Sequence, residues 1–165
     1  MKPPFRADHV GSLLRPQDLH EARAKNRKGE LSDEKLKEIQ DKDIRDVVKL
    51  QEDVGIQAIT DGEFRRDWWH IDFIHGFDGV DLTVNKQHTF HASHEQPPMF
   101  RLTGKVRRTK PSMLSHFQYL KSVVKKGTPK FTMPSPAMLH ARSDREALKK
   151  VNPDIVEFWA DTPKA

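Results

Sequence analysis

The sequence predicts an α/β protein with a parallel sheet, and three observations carry that prediction. Short β-branched segments run directly into turn residues, helical segments separate them, and glycines stand where those helices stop. The order reads strand, helix, strand, excursion, helix, strand, helix, which is the rhythm of strands joined by crossovers. Three core strands are too few to cover both faces of such a sheet. The pattern therefore reads as part of a larger barrel or open sheet.

The first element is a short apolar strand over Phe5 to Val10, broken by Gly11-Ser12. Leu13-Leu14-Arg15-Pro16 then leads into a polar helix from Gln17 to Lys28, closed by Gly29. Ser32 is the N-cap of the next helix, with Asp33 and Glu34 in its first turn favouring the dipole. Its apolar stripe is Leu36, Ile39, Val47, Leu50 and Val54, interrupted at Asp43, and Gly55 supplies the stop. Ile56 to Thr60 is a strand. Asp67 to Phe77 is a mixed aromatic segment of helix and loop, and Gly79 to Val106 is a β-hairpin excursion with Pro97-Pro98 in its middle. A helix follows from Ser112 to Lys126, stopped by Gly127, and then a strand over Lys130 to Met133, ended by Pro134-Ser135-Pro136. Ser143 to Glu146 matches the S-x-x-E capping box, and Asn152-Pro153 opens a last helix with proline at its first position.

Composition narrows the class. At 165 residues the chain reads as a single domain, residues 1–165. Leu, Ile, Val and Phe make up 39 of 165 residues, above the roughly 20% below which a highly charged chain is disordered. The mean hydropathy of −0.78 nonetheless marks a polar chain. No apolar run approaches the ~18–20 residues of a membrane span, and the start lacks a signal-peptide core. Zero cysteine excludes disulfides, a thiolate nucleophile and cysteine-ligated metal. A cytoplasmic protein with no membrane partner is the expectation. The net charge of +5 collects at Lys105 to Lys110 and Lys121 to Lys130, without the stacking aromatics or helix-turn-helix spacing of a nucleic-acid reader. A nucleic-acid partner is not expected, although a non-catalytic module with a basic surface is the alternative to an enzyme.

Three segments place polar residues directly after a strand: His9 to Ser12, Thr60 to Glu63, and Thr132 to Pro136. In parallel α/β folds the carboxyl ends of strands form the binding mouth, so these three converge. Gly11 lets backbone approach a ligand, the Ser12 amide and hydroxyl suit a carboxylate, and Glu63 suits an ammonium group. Together they fit an amino-acid substrate, and equally they fit plain turn punctuation. Arg65-Arg66-Asp67-Trp68-Trp69-His70 reads two ways as well. The arginines and tryptophans bind a flat anion, or they pair with carboxylates and close a core. His88, His91 and His94 are read as a solvated loop, since on a strand His91 points away from the other two. His9 and His140, each near a strand end, are acid–base candidates or ordinary loop residues.

Phe5 to Pro16, Gln51-Glu52, Thr60-Asp61-Gly62-Glu63-Phe64-Arg65-Arg66 and Thr128 to His140 resemble the cobalamin-independent methionine synthase family. The likeness is closer to its short single-barrel bacterial members, covers about residues 4 to 160, and rests on the H-V-G-S-x-x-R-P and T-D-G-E-x-x-R pair. It implies a (β/α)8 TIM barrel that transfers a methyl group from methylated folate to the thiol of homocysteine, the last step of methionine biosynthesis. It also implies substrate contacts at Val10, Gly11, Ser12 and Glu63, with His9, Asp61, Arg66 and Trp69 as further candidates. Other thiol alkyltransferases share that barrel.

The departures are part of the expectation. The resemblance implies a zinc ion that activates the thiol, held by a His and cysteines from the second half of the barrel. This chain has no cysteine, and a barrel of this kind takes ~250 residues. We therefore expect a truncated N-terminal half with no zinc of its own, no catalytic residue, and no turnover alone. Uncovered strand edges would favour self-association or a partner supplying the missing half.

Overall fold

The computed structural model describes residues 9–84 and 97–161. It is a mixed α/β structure whose chain forms two compact units, Met1–Arg66 with Leu114–Thr132, and Asp67–Met113 with Met133–Ala165. The expected strand over Phe5 to Val10 lies outside the described residues except for His9 and Val10, which are irregular. His88, His91 and His94 also lie outside them.

The first unit is built on two helices and a pair of strands. Helix α1, Gln17–Arg27, begins after Pro16, and α2, Asp33–Asp53, is capped by the Ser32 hydroxyl, which accepts from the Lys35 amide at 3.3 Å. The buried face of α2 carries Gln40, Asp43, Ile44, Val47, Val48 and Gln51. This corrects the expected stripe: Leu50 and Val54 are exposed, and Asp43 sits inside the buried face rather than interrupting it. The i, i+3, i+4, i+7, i+8, i+11 spacing from Gln40 follows the helical period more closely than the apolar residues do.

Strand β1, Ala58–Ile59, pairs in parallel with β4, Thr128–Pro129, which follows helix α4, Leu114–Val123. The Thr128 amide donates to the Gln57 carbonyl and the Lys130 amide to the Ile59 carbonyl, each at 2.7 Å. The strand expected over Lys130 to Met133 is thus displaced toward the N-terminus. Beyond Lys130 the chain turns to side-chain contacts instead, with Phe131 packed edge-on against Phe117. Leu19, Ile44, Val47, Val48, Ile59, Phe64 and Leu120 form the core of this unit. Each such side chain contributes ~1.5–3 kcal/mol on burial.

The second unit contains the expected hairpin. Strand β2, Asp78–Thr83, runs antiparallel to β3, Met99–Arg107, with Val80 opposite Leu102 and Leu82 opposite Phe100. The Phe100 amide donates to the Arg142 carbonyl and its own carbonyl accepts from Asp144, so the segment after helix α5, Pro136–Ala141, lies alongside β3. Ile71 and Ile74 of the short helix α3, Ile71–Ile74, close a core with Val80, Phe100, Leu102, Leu139, Leu148 and Phe158.

Three local expectations need correction here. Helix α5 forms where the sequence suggests only a strand end, with Ser135 before it and Pro136 supplying a preset φ at its start. The cap of helix α6, Arg145–Val151, is Asp144, whose carboxylate accepts from the Ala147 amide at 2.8 Å. Ser143 is buried instead and donates to the Leu139 carbonyl. Asn152 ends α6, and the last helix, α7 (Ile155–Asp161), starts two residues after Pro153 behind an Asp154 turn. Among the described residues no helix is long and apolar enough to cross a membrane.

Candidate functional site

The site grows from the end of β1. Thr60 continues that strand, and both of its backbone groups are taken by the Gln51 amide side chain, which donates to the Thr60 carbonyl at 2.8 Å and accepts from its N–H at 3.0 Å. Gln51 thereby acts as a one-residue strand neighbour and ties the strand end to α2. The Thr60 hydroxyl donates to the Gly11 carbonyl at 3.0 Å and accepts from the Gly62 amide at 3.2 Å. Its one proton is committed to Gly11, so the His9 Nε2 lying 2.9 Å away is the donor in that contact. One threonine therefore joins the 9–11 segment to the loop after β1.

That loop reverses tightly. The Asp61 carboxylate accepts from the Glu63 amide at 2.9 Å, and Glu63 itself has a φ of 58°, a left-handed conformation that is costly for a residue with a side chain. Surrounding groups hold it there. Arg15 Nη2 donates to the carbonyls of Glu63 at 3.1 Å and Arg66 at 2.7 Å, and Arg23 Nη1 donates to the Phe64 carbonyl at 2.6 Å. The Leu13 amide donates to the Gly62 carbonyl at 3.1 Å.

Gly11 lies beneath this loop. A Cβ at Gly11 would stand 2.7 Å from the Thr132 hydroxyl oxygen and 2.8 Å from Glu63 Oε1, inside the distance that real Cβ atoms keep. Glycine is needed here for space rather than for its conformational range. The Thr132 hydroxyl donates to the Val10 carbonyl and Lys130 donates to the His9 carbonyl, so the segment after β4 joins the same cluster. His9 to Gly11, Thr60 to Glu63, and Thr132 alone of the expected Thr132 to Pro136 segment come together here, while the strand expected before Gly11 lies outside the described residues apart from His9 and Val10.

The other candidate residues fall out as follows. Val10 and Ser12 are exposed, and Asp61, Glu63 and Arg66 are buried. Arg66 reaches Glu63 Oε1 at 3.5 Å and the Thr132 carbonyl at 2.7 Å, with its guanidinium 4.5 Å above the Phe131 ring. Arg65 pairs with Asp41 and lies 4.8 Å over Tyr119. These pairings match the reading in which the arginines meet carboxylates. Trp69 belongs to the second unit, where it lies 4.8 Å from the His70 ring. His140 packs there against Phe158 and Trp159.

The sequence reading names Gln51, Thr60 and Arg15 only within longer segments, with no role of their own, and does not name Arg23. Each acts through backbone groups apart from it in sequence. No pattern of spacing encodes a side chain that serves another segment's carbonyl. Among the described residues no three His, Cys, Asp or Glu side chains gather as a metal site, and the chain has no cysteine. The residues on hand do not fit the zinc that the resemblance implies.

Chemically, the arrangement offers a buried carboxylate against a glycine that an exposed serine follows in sequence. Comparison with known proteins meets it at this point. The family described as cobalamin-independent synthase, catalytic domain, matches residues 5–152. The chain belongs to this family. YxjH of Bacillus subtilis, whose function is uncharacterised, is 40% identical over 99% of this chain and 43% of its own length. The 5-methyltetrahydropteroyltriglutamate–homocysteine methyltransferase of Thermotoga petrophila is 30% identical over 75% of this chain and 17% of its own. A crystal structure from Listeria monocytogenes, provisionally named a vitamin-B12 independent methionine synthase, superposes with a TM-score of 0.77 at 36% identity. It covers 98% of this chain and 46% of that one. The chain thus spans less than half the length of these synthase-family relatives.

Proposed function

We propose that this chain is the amino-acid-binding portion of an S-methyltransferase that moves a methyl group from a methylated folate to the thiol of homocysteine. In this reading residues 1–165 are the N-terminal part of one (β/α)8 barrel in a cytoplasmic enzyme of methionine biosynthesis. The observation that carries it is the placement of the Glu63 carboxylate against Gly11, with Oε1 2.8 Å from where a Cβ would stand and the exposed Ser12 next in sequence. An amino acid with its carboxylate at the 11–12 backbone and the Ser12 hydroxyl would direct its ammonium group at Glu63. A charge-assisted bond to a buried carboxylate is a strong one. Family membership and the 36%-identical synthase-like structure support the same substrate class.

Methyl transfer also requires activation of the thiol and a site for the donor, and among the described residues no side chains gather to fit a zinc ion. No step is assigned to zinc here. We expect the chain alone to bind L-homocysteine without turning over methylfolate, and to need the remaining barrel half, or a second copy, beside its strands. The test is calorimetric titration of L-homocysteine into the pure chain and into Glu63→Gln. Saturable binding lost at least tenfold in Glu63→Gln is the expected result. Binding unchanged by that substitution would overturn the reading.

A further inference from the structure

Among the buried groups, Arg66 has the most demanding environment. It is 1% exposed and reaches two separate stretches of chain: the Glu63 carboxylate on one, and the Thr132 carbonyl with the face of the adjacent Phe131 on the other. We infer that Arg66 is a positioning residue, which aims the Glu63 carboxylate at the ammonium group of an amino-acid ligand and does not touch that ligand itself. The inference deepens the proposed function and rests on it.

The geometry carries the argument in three steps. Glu63 sits at a φ of 58°, where its side chain leaves the backbone in a direction an ordinary turn residue does not take. The carbonyls of Glu63, Phe64 and Arg66 are held by Arg15 and Arg23, which fixes the backbone but not the side-chain torsions of Glu63. Arg66 supplies that constraint. Its Nη2 is anchored at 2.7 Å on Thr132 and its plane lies over Phe131, which presents Nη1 to Glu63 Oε1 from a fixed direction. At 3.5 Å this contact is long, so Arg66 orients the carboxylate more than it clasps it.

A lysine could not reproduce the arrangement. Its single ammonium has no fork to hold the Thr132 carbonyl and the carboxylate at once while lying flat on a ring. Phe131 enters for the same reason, because it sets the plane of the guanidinium. Arg66, Phe131 and Thr132 thus act through Glu63.

The experiment is a double-mutant cycle on the full chain, with L-homocysteine as the probe and urea midpoints recorded for every variant. Arg66→Lys should weaken binding about tenfold, and Arg66→Gln more than Arg66→Lys. In a Glu63→Gln background neither should cost more than about twofold, since the group they position is gone. Should the arginine variants fail to fold, Phe131→Leu removes the ring alone. It should cost severalfold in affinity in the parent chain and nothing in Glu63→Gln. Losses that add fully in the double variants would overturn the inference while leaving the amino-acid site standing. A parent chain that binds no L-homocysteine would overturn the site reading and the inference with it.

Discussion

Glu63 Oε1 lies 2.8 Å from the point a Cβ on Gly11 would occupy, so the carboxylate and the glycine backbone face each other with no room for a methyl group between them. A Gly11→Ala chain must move both the Glu63 and the Thr132 side chains. The nearest atoms are side-chain ends rather than backbone, so the cost in stability should be modest, about 1 kcal/mol in urea denaturation. The cost in L-homocysteine affinity should be tenfold or more by calorimetry, because the displaced group is the one proposed to bind. Equal losses in both would place Gly11 among residues that only maintain the fold.

Gln51 bonds both backbone groups of Thr60, as a strand neighbour would. Gln51→Glu keeps the shape but removes the donor that serves the Thr60 and Val47 carbonyls. A buried carboxylate would then face two carbonyl oxygens. The expected destabilisation is about 2–4 kcal/mol, read as a lower urea midpoint with an unchanged slope.

His70 is buried beside Trp69 and Phe100, and neither ring nitrogen has a hydrogen-bond partner among the described residues. Burial first, and then the charge of Arg142, lower its pKa to about 4, against a smaller opposing effect of Asp72. The folded protein thus disfavours the protonated ring while the unfolded chain accepts a proton near pH 6.5. The resulting stability is fully present above about pH 6.5 and is lost as pH falls toward 4, up to about 3 kcal/mol. His70→Leu should flatten this part of the pH–stability curve measured by thermal denaturation. A parent and variant with parallel curves between pH 7 and 4.5 would show that His70 does not titrate in this way.

Asp43 has the opposite sign. Burial raises its pKa above the usual carboxylate value, with Asp18 and Asp46 adding to the shift and Lys42 opposing it. Its Oδ2 has no partner among the described residues, and Lys42 is largely exposed, so that pairing is worth little. The ionised form is therefore the destabilising one. Asp43→Asn should raise stability at pH 7 by about 1 kcal/mol, and the gain should vanish as pH falls through the carboxyl's own titration. Chemical denaturation at pH 7 and pH 3.5 checks both halves of the statement.

What the sequence determined by itself are the features governed by neighbours along the chain. Ser32 as a cap, the bounds of α1 and α2, the hairpin on either side of residues 85–96, and the approach of Gly11 to Glu63 in the loop after β1 were all legible. Each depends on local propensity or on the rule that parallel strands present their carboxyl ends together. The tertiary structure decided the rest. Which face of α2 is buried, where β4 begins, that Asp144 and not Ser143 caps α6, and that α5 is a helix at all depend on which distant group claims each side chain. The same holds inside the site. Glu63 and Gly11 can be named from a motif. That Thr60, Gln51, Arg15 and Arg66 hold them in place follows from hydrogen bonds to backbone groups as many as 66 residues away, which leave no periodic trace in the sequence.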